Sequence, residues 1–176
     1  MYELDRIQNQ MDLMFSLARM DQFRNDLVIE ELVLSDLVKK VVQENKRLFV
    51  QNKVFPELKL SDDITVITDR KWISFVIEQL IHNAVKYSDA GSNFTVKIWQ
   101  DDGRVHLAIR DWGIGIRKRG IPRIFELYYT GDNGRDNDQS SGIGLYMVKI
   151  VLNELGHKIS VRSEVGNGTT ITIDFS

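Results

Sequence analysis

The chain contains no cysteine. That excludes disulfides and cysteine-ligated zinc, and it fits a reducing compartment. Long apolar runs are also missing: none approaches the roughly 20 residues a bilayer-crossing helix needs. Residues 1–20 alternate polar and apolar side chains and carry no signal-peptide core. Charge of one sign is lacking too. The 23 Lys and Arg nearly balance the 25 Asp and Glu, for a net charge of -2. The basic residues are scattered without aromatic interleaving, so no nucleic-acid surface is expected. Histidine is scarce, and His82, His106 and His157 lie too far apart to suggest a metal site. What is present is a globular balance of 43% hydrophobic and 27% charged residues. In 176 residues this allows one domain with a substantial core and one appended element.

Residues 3–24 read as an amphipathic helix. Leu4, Ile7, Met11, Met14 and Ala18 form the stripe, which Phe15 and Leu17 widen. One helix cannot bury its own apolar face. It either lies on the domain core or forms one arm of an antiparallel hairpin. The second reading is favoured, because the stripe starts at residue 4 with no cap ahead of it. The expected division is a truncated dimerisation hairpin over 1–25 and a catalytic domain over 26–176. Within the latter, Leu27 to Leu34 suggests an edge strand, and Ser35 a helix N-cap for a segment reaching about Gln51. Lys53–Leu60 and Ile64–Thr68 read as strands joined at Ser61-Asp62-Asp63. Asp69 caps a helix to about Tyr87. Phe94–Gln100 and Val105–Arg110 form a hairpin across Asp101-Asp102-Gly103. After a long polar loop, a helix runs from Gly142 to about Glu154. Lys158–Ser163 and Thr169–Phe175 make the closing hairpin. The predicted class is α+β, a two-layer α/β sandwich with a mixed, mostly antiparallel sheet and helices on one face.

Three short segments carry the chemistry. Asp111-Trp112-Gly113-Ile114-Gly115-Ile116 pairs one acid with two alternating glycines. A buried carboxylate at a strand end can accept a hydrogen bond from the amine of adenine, whereas guanine would offer an opposing acceptor. Gly113 and Gly115 permit close backbone approach. An ordinary Asp-Gly turn is the plain alternative for this segment alone. Upstream, Gln79, Asn83 and Lys86 share one helix face. An amide oxygen there suits magnesium already held by phosphates and water. Lys86 is a point charge for phosphate, and Tyr87 offers a flat surface beside it. The bland reading of this helix is a wetted polar face. Downstream, Ser141-Gly142-Ile143-Gly144-Leu145 opens a helix, where exposed N–H groups at the positive dipole end form a phosphate cradle.

Together these segments resemble the N, G1 and G2 boxes of a histidine-kinase catalytic domain. That domain belongs to the GHKL group with the Bergerat ATP-binding fold, alongside gyrase, the Hsp90 chaperones and the MutL proteins. The resemblance implies ATP and Mg2+ as cofactors, with Asn83 as metal ligand. It implies Lys86 and Tyr87 beside the nucleotide, and Asp111, Gly113, Gly115 and Ile116 around the purine. Gly142, Ile143, Gly144 and Leu145 would lie along the phosphates. Thr169 or Thr170 would support Asp111, with Thr170 the candidate. Arg123-Ile124-Phe125-Glu126 resembles the F box, with Phe125 anchoring a lid and Arg123 reaching the terminal phosphate. The sequence departs from the family at Gln79, where hydrolysing relatives carry a glutamate base. An amide cannot accept water's proton, and Glu78 lies about 100° around the helix. Transfer to an external acceptor is therefore expected rather than efficient hydrolysis.

None of the three histidines has the flanking residues of a phosphoacceptor box, so the acceptor is expected on a helix preceding Met1. The resemblance further implies a response regulator as partner, a homodimer in the full-length protein, and a cytoplasmic domain of a cell-membrane protein. Lys71-Trp72, Tyr129-Thr130-Gly131 and Leu155-Gly156-His157 look like BceS-type kinases, which implies a peptide-antibiotic ABC transporter as a further partner. The rival functions are a serine kinase of the same fold, a nucleotide-gated ATPase and a catalytically dead scaffold.

Overall fold

The computed structural model describes Phe23, residues 26–131 and residues 141–176. The expected helix over 3–24 lies outside the described residues except at Phe23, which is helical and buried against Trp72 with ring centroids 4.4 Å apart.

Strand β1 (Ile29–Val33) pairs antiparallel with β3 (Thr65–Asp69) in a small two-stranded sheet. Between them come helix α1 (Leu34–Glu44), helix α2 (Lys46–Asn52) and strand β2 (Phe55–Lys59). Helix α3 (Arg70–Tyr87) follows β3. Strands β4 (Asn93–Asp101), β5 (Arg104–Arg110), β6 (Lys158–Glu164) and β7 (Gly168–Phe175) complete a second sheet of order β2-β4-β5-β7-β6, with helix α4 (Gly144–Glu154) before β6. Among the described residues only the β2–β4 pairing is parallel. The mixed, mostly antiparallel two-layer sandwich expected from the sequence is therefore present.

Local rules explain most element boundaries. Asp69 Oδ1 accepts the N–H of Trp72 at 2.9 Å, an N-cap that starts α3. Its Oδ2 accepts the N–H of Val28 at 2.7 Å, which ties the small sheet to the same carboxylate. The β4–β5 turn places Asp102 and Gly103 at φ 47° and 76°, the left-handed pair that matches a two-residue hairpin's twist.

Two boundaries differ from expectation. Ser35 does not cap α1; it sits buried inside the first turn, and Val33 holds the cap position without a side-chain bond. The segment to Gln51 is also two helices rather than one. Asn45 Nδ2 donates to Val41 O at 2.9 Å, a carbonyl that its own backbone N–H shares with Val42 O. That competition with the ladder breaks the helix there. Strands β2 and β3, consecutive as expected, belong to different sheets. The core lies between α1, α3 and α4 and the inner sheet face, with Ile73, Ile77, Leu80, Phe94, Ile98 and Leu107 nearly or fully enclosed.

Candidate nucleotide site

A cavity opens where the end of α3 meets the β5 and β7 strand ends. Its walls include Asn83, Tyr87, Asp111, Gly115, Ile116 and Leu145, all singled out from the sequence. Leu80, Ala84, Ile109 and Ile171 give it an apolar floor. The volume is about 120 Å³, below the roughly 300–1,000 Å³ of pockets that enclose a whole drug-sized ligand. It fits a flat ring, with any charged tail left outside.

Asp111 is the buried acid of this cavity, 8% exposed. The N–H groups of Gly113 and Thr169 both donate to its Oδ1, at 3.0 and 3.2 Å. They fix the carboxylate and leave Oδ2 as the oxygen for a ligand's donor. Burial pushes its carboxyl pKa up, while the Gly113 and Thr169 N–H groups and nearby Arg110 oppose the shift.

Thr170 is corrected to Thr169. Along β7 successive side chains alternate faces, so Thr169 and Ile171 line the cavity while Thr170 and Thr172 lie on the opposite sheet face. Thr169 Oγ1 bonds Ser163 Oγ at 2.8 Å, and Ser163 Oγ accepts the Ile116 N–H at 2.8 Å. A polar chain thus runs from beside the acid to the backbone of Ile116.

Gly113 also has a different role from the one expected. It does not line the cavity. A Cβ at Gly113 would lie 1.8 Å from Tyr87 O, so this glycine lets the strand end abut the last turn of α3. Gly115 does line the cavity, at φ 69°, and a Cβ there would strike Glu164 O at 2.0 Å. Gly142, at φ 66°, is packed on the Tyr128 backbone, where a Cβ would meet Tyr128 C at 2.5 Å. Gly142, Ile143 and Gly144 stay outside the cavity wall; helix α4 begins at Gly144, without a side-chain cap, next to Leu145 of the wall. Gln79 reaches this point as well, since a Cβ on Gly144 would be 2.8 Å from its Oε1. Glu78 instead sits 3.9 Å from His82, facing away as the helical angle required.

Lys86 also lies outside the cavity wall, in the last turn of α3, with Nζ 5.4 Å from the Tyr87 ring centre. Burial pulls its pKa down to about 8. Arg123 does not reach toward the cavity. Its Nε donates to Glu126 Oε2 at 2.9 Å, and its guanidinium stacks 4.6 Å from the Tyr129 ring centre. The short-range acid and ring satisfy it within its own loop. Ile124 rather than Phe125 is the buried anchor of this loop and lines the cavity. Ile114, Arg117, Gly120, Tyr129, Thr130 and Gly131 complete the wall. In sequence, Tyr129-Thr130 marks only the subfamily resemblance; its place at the cavity comes from the fold.

Residues 68–176 match the family model described as histidine kinase-, DNA gyrase B-, and HSP90-like ATPase. The chain belongs to this family. As a member of this ATPase family it is an ATP-binding domain, and its cavity is the place where one acid meets an apolar ring slot. The chain is 38% identical over 174 residues to the sensor histidine kinase YxdK of Bacillus subtilis, covering 98% of this chain and 54% of that protein. It spans about half the length of the curated relatives it matches. The fold is similar to the Acinetobacter baumannii histidine kinase AdeS, with TM-score 0.77 and 23% identity over 99% of this chain and 80% of that one. It is also similar to the histidine kinase ThkA solved in complex with the response regulator TrrA, with TM-score 0.74 and 16% identity over 96% of this chain and 48% of that one.

Proposed function

We propose that this domain transfers the γ-phosphoryl group of ATP to a histidine held on a helix outside the described residues, for relay to an aspartate of a response regulator. The observation that carries the reading is the cavity keyed by Asp111, in a chain most of whose length aligns with a sensor histidine kinase. Adenine enters the apolar slot with its amine on Oδ2 of Asp111, and the triphosphate emerges toward the N-terminus of α4. Binding fixes the γ-phosphorus in line with an incoming imidazole nitrogen; the new N–P bond forms as the bridging P–O bond breaks and its electron pair leaves with ADP.

Asn83 is the residue that would hold Mg2+. Among the described residues no cluster of His, Asp or Glu could hold a metal ion. A single neutral amide, with Gln79 one turn before it, fits a cation that arrives bound to phosphates and water rather than a resident one. When bound, that ion supplies charge neutralisation at the phosphates. An amide at Gln79 supplies no base for water, which favours transfer over hydrolysis.

The histidines of the chain are engaged elsewhere. His82 Nε2 donates to Asn45 Oδ1 at 2.9 Å, His106 Nδ1 lies 2.6 Å from Asp174 Oδ1, and buried His157 bonds Thr68 Oγ1 at 2.9 Å. The acceptor therefore comes from a preceding helical hairpin that also dimerises the full-length protein. ThkA's complex with TrrA supports a response regulator as downstream partner. The membrane setting and a peptide-antibiotic ABC transporter complete the proposal; among the described residues no helix is long and apolar enough to cross a membrane.

With γ-labelled ATP and Mg2+, this chain alone is expected to acquire no acid-labile phosphate. Adding a histidine-bearing hairpin from a sensor histidine kinase is expected to yield acid-labile, base-stable label on that hairpin. Acid-stable label on a partner serine would replace this reading with the serine-kinase one.

Lys86 gives the proposal a pH signature. Its pKa of about 8 in the free protein rises when a triphosphate lies beside it, so binding takes up a proton. Affinity for ATP is then lost as pH climbs past 8, by about tenfold per unit until the bound-state pKa is reached. Adenosine, which has no phosphate, should bind equally at pH 7 and pH 9. Titration calorimetry in buffers of different ionisation enthalpy reads both the slope and the proton.

A further inference from the structure

The inner face of the five-stranded sheet carries the core and the nucleotide cavity. Its outer face forms a broad trough of about 930 Å³ that includes residues from all five strands. The register sets out the trough in rows. In one row Arg110 and Arg162 flank Thr170 from the two neighbouring strands. In the next, Lys97 faces Ala108, which faces Thr172, which faces Ser160. In the third, Trp99 faces His106, which faces Asp174. Small side chains thus floor the trough between two rows of large ones.

The charges of the trough are unbalanced although the chain as a whole is acidic, with net charge -2. Four cations line it, Lys59, Lys97, Arg110 and Arg162, against two acids, Glu164 and Asp174. Both acids already have internal partners. Asp174 Oδ1 lies 2.6 Å from His106 Nδ1, and Glu164 Oε2 accepts from Asn167 Nδ2 at 2.8 Å. Two of the four cations are held differently. Arg110 lies 3.7 Å over the Trp112 ring, and Lys97 lies 5.1 Å over Trp99. Stacking on a π face positions a cation yet leaves its N–H groups free for an oxyanion. Arg162 makes no ion pair among the described residues, and of these four cations only Lys59 forms one there, with Glu57 at 3.1 Å.

We propose that this trough docks an acidic polypeptide segment of a partner protein, whose carboxylates pair with Arg110, Arg162 and Lys97. Arg110 and Arg162 are two strand spacings apart, roughly 10 Å, a span that carboxylates two or three residues apart on an extended chain can reach. A planar anionic membrane fits less well, because the Ala108–Thr172–Ser160 floor is recessed and a plane meets only the rims. Nucleic acid fits less well too. One face of Trp99 and one of Trp112, which would stack bases, are already taken by Lys97 and Arg110, whose charge there suits carboxylates equally well.

The test is titration of oligoglutamate into the whole chain, followed by the indole N–H resonances of its three tryptophans. The expected result is a shift at Trp99 and Trp112 but not at Trp72, no shift with oligolysine, and weakening as salt rises. The double variant Lys97→Glu, Arg162→Glu should bind oligoglutamate at least tenfold more weakly. It should keep the wild-type melting temperature and ATP affinity, which separates loss of docking from loss of fold. Unmoved Trp99 and Trp112 signals, or a variant that binds as tightly as wild type, would overturn the proposal. So would binding to phosphatidylglycerol vesicles without binding to oligoglutamate, which would assign the face to lipid.

Discussion

Asp111→Asn should weaken ATP binding by about 100-fold while leaving the fold intact. Oδ1 of Asp111 accepts two buried backbone N–H groups, from Gly113 and Thr169. An asparagine can keep both bonds only if its carbonyl oxygen takes the Oδ1 place. Flipping the amide would set its NH2 against two other donors. The NH2 is therefore driven to the Oδ2 side, where it meets the adenine amine donor to donor. The loss includes a charge-assisted bond worth roughly 1.5–3 kcal/mol, or one to two decades, and the opposed donors add to it. Guanine carries an acceptor at the same position, so the ratio of ATP to GTP affinity should fall by about the same 100-fold. Stability should not suffer. Burial disfavours the ionised carboxylate, as its raised pKa records, and a neutral amide avoids that cost while both N–H groups stay satisfied. Calorimetry with both nucleotides and a thermal melt suffice. Unchanged ATP affinity in well-folded Asp111→Asn would remove the acid from the site.

The same carboxylate shows how far the sequence could be read. The Asp111 segment and the Asn83 helix were legible as walls of one cavity, because each is a short pattern with its own chemistry. The antiparallel hairpins and the Asp69 cap were legible for the same reason. What could not be read depended on contacts between segments distant in sequence. Thr169 and Thr170 differ by one residue, and one residue is the whole difference between the two faces of a strand. Only the register of β7 on β5 decides it. Arg123 is a cation near a presumed phosphate in sequence terms, but its loop folds to give it Glu126 and Tyr129 first. The break at Asn45 needs a side chain that competes for a backbone carbonyl and a histidine from α3 to hold it. The outer trough looked like ordinary strand alternation, since its cation–ring pairs and its excess charge appear only when five strands lie side by side.

The second large effect is expected at Gly113, and it tests the packing that joins the two halves of the site. Gly113→Ala would place a methyl carbon 1.8 Å from Tyr87 O, 2.7 Å from Tyr87 C and 3.1 Å from Asp111 Oδ1. The first two are backbone atoms in the last turn of α3, so no side-chain rotation relieves the clash. Either the strand end or the helix end must move. Overpacking of this kind costs about 1–3 kcal/mol, and rigid backbone as the obstacle puts it near 3. In a domain of this size that corresponds to a fall of roughly 6–12 °C in melting temperature. The displacement also separates Asn83 and Tyr87 from Asp111, so ATP affinity should drop at temperatures where the variant is still folded. Gly91→Ala is the matched control. It sits at φ 89° with nothing within 4 Å of an added Cβ, so it carries only the left-handed penalty of roughly 1–2 kcal/mol and should leave ATP binding alone. If Gly113→Ala melts no lower than Gly91→Ala and binds ATP normally, α3 and the β5 end are not wedged together as described. The adenine slot would then have to be held by something other than this backbone contact.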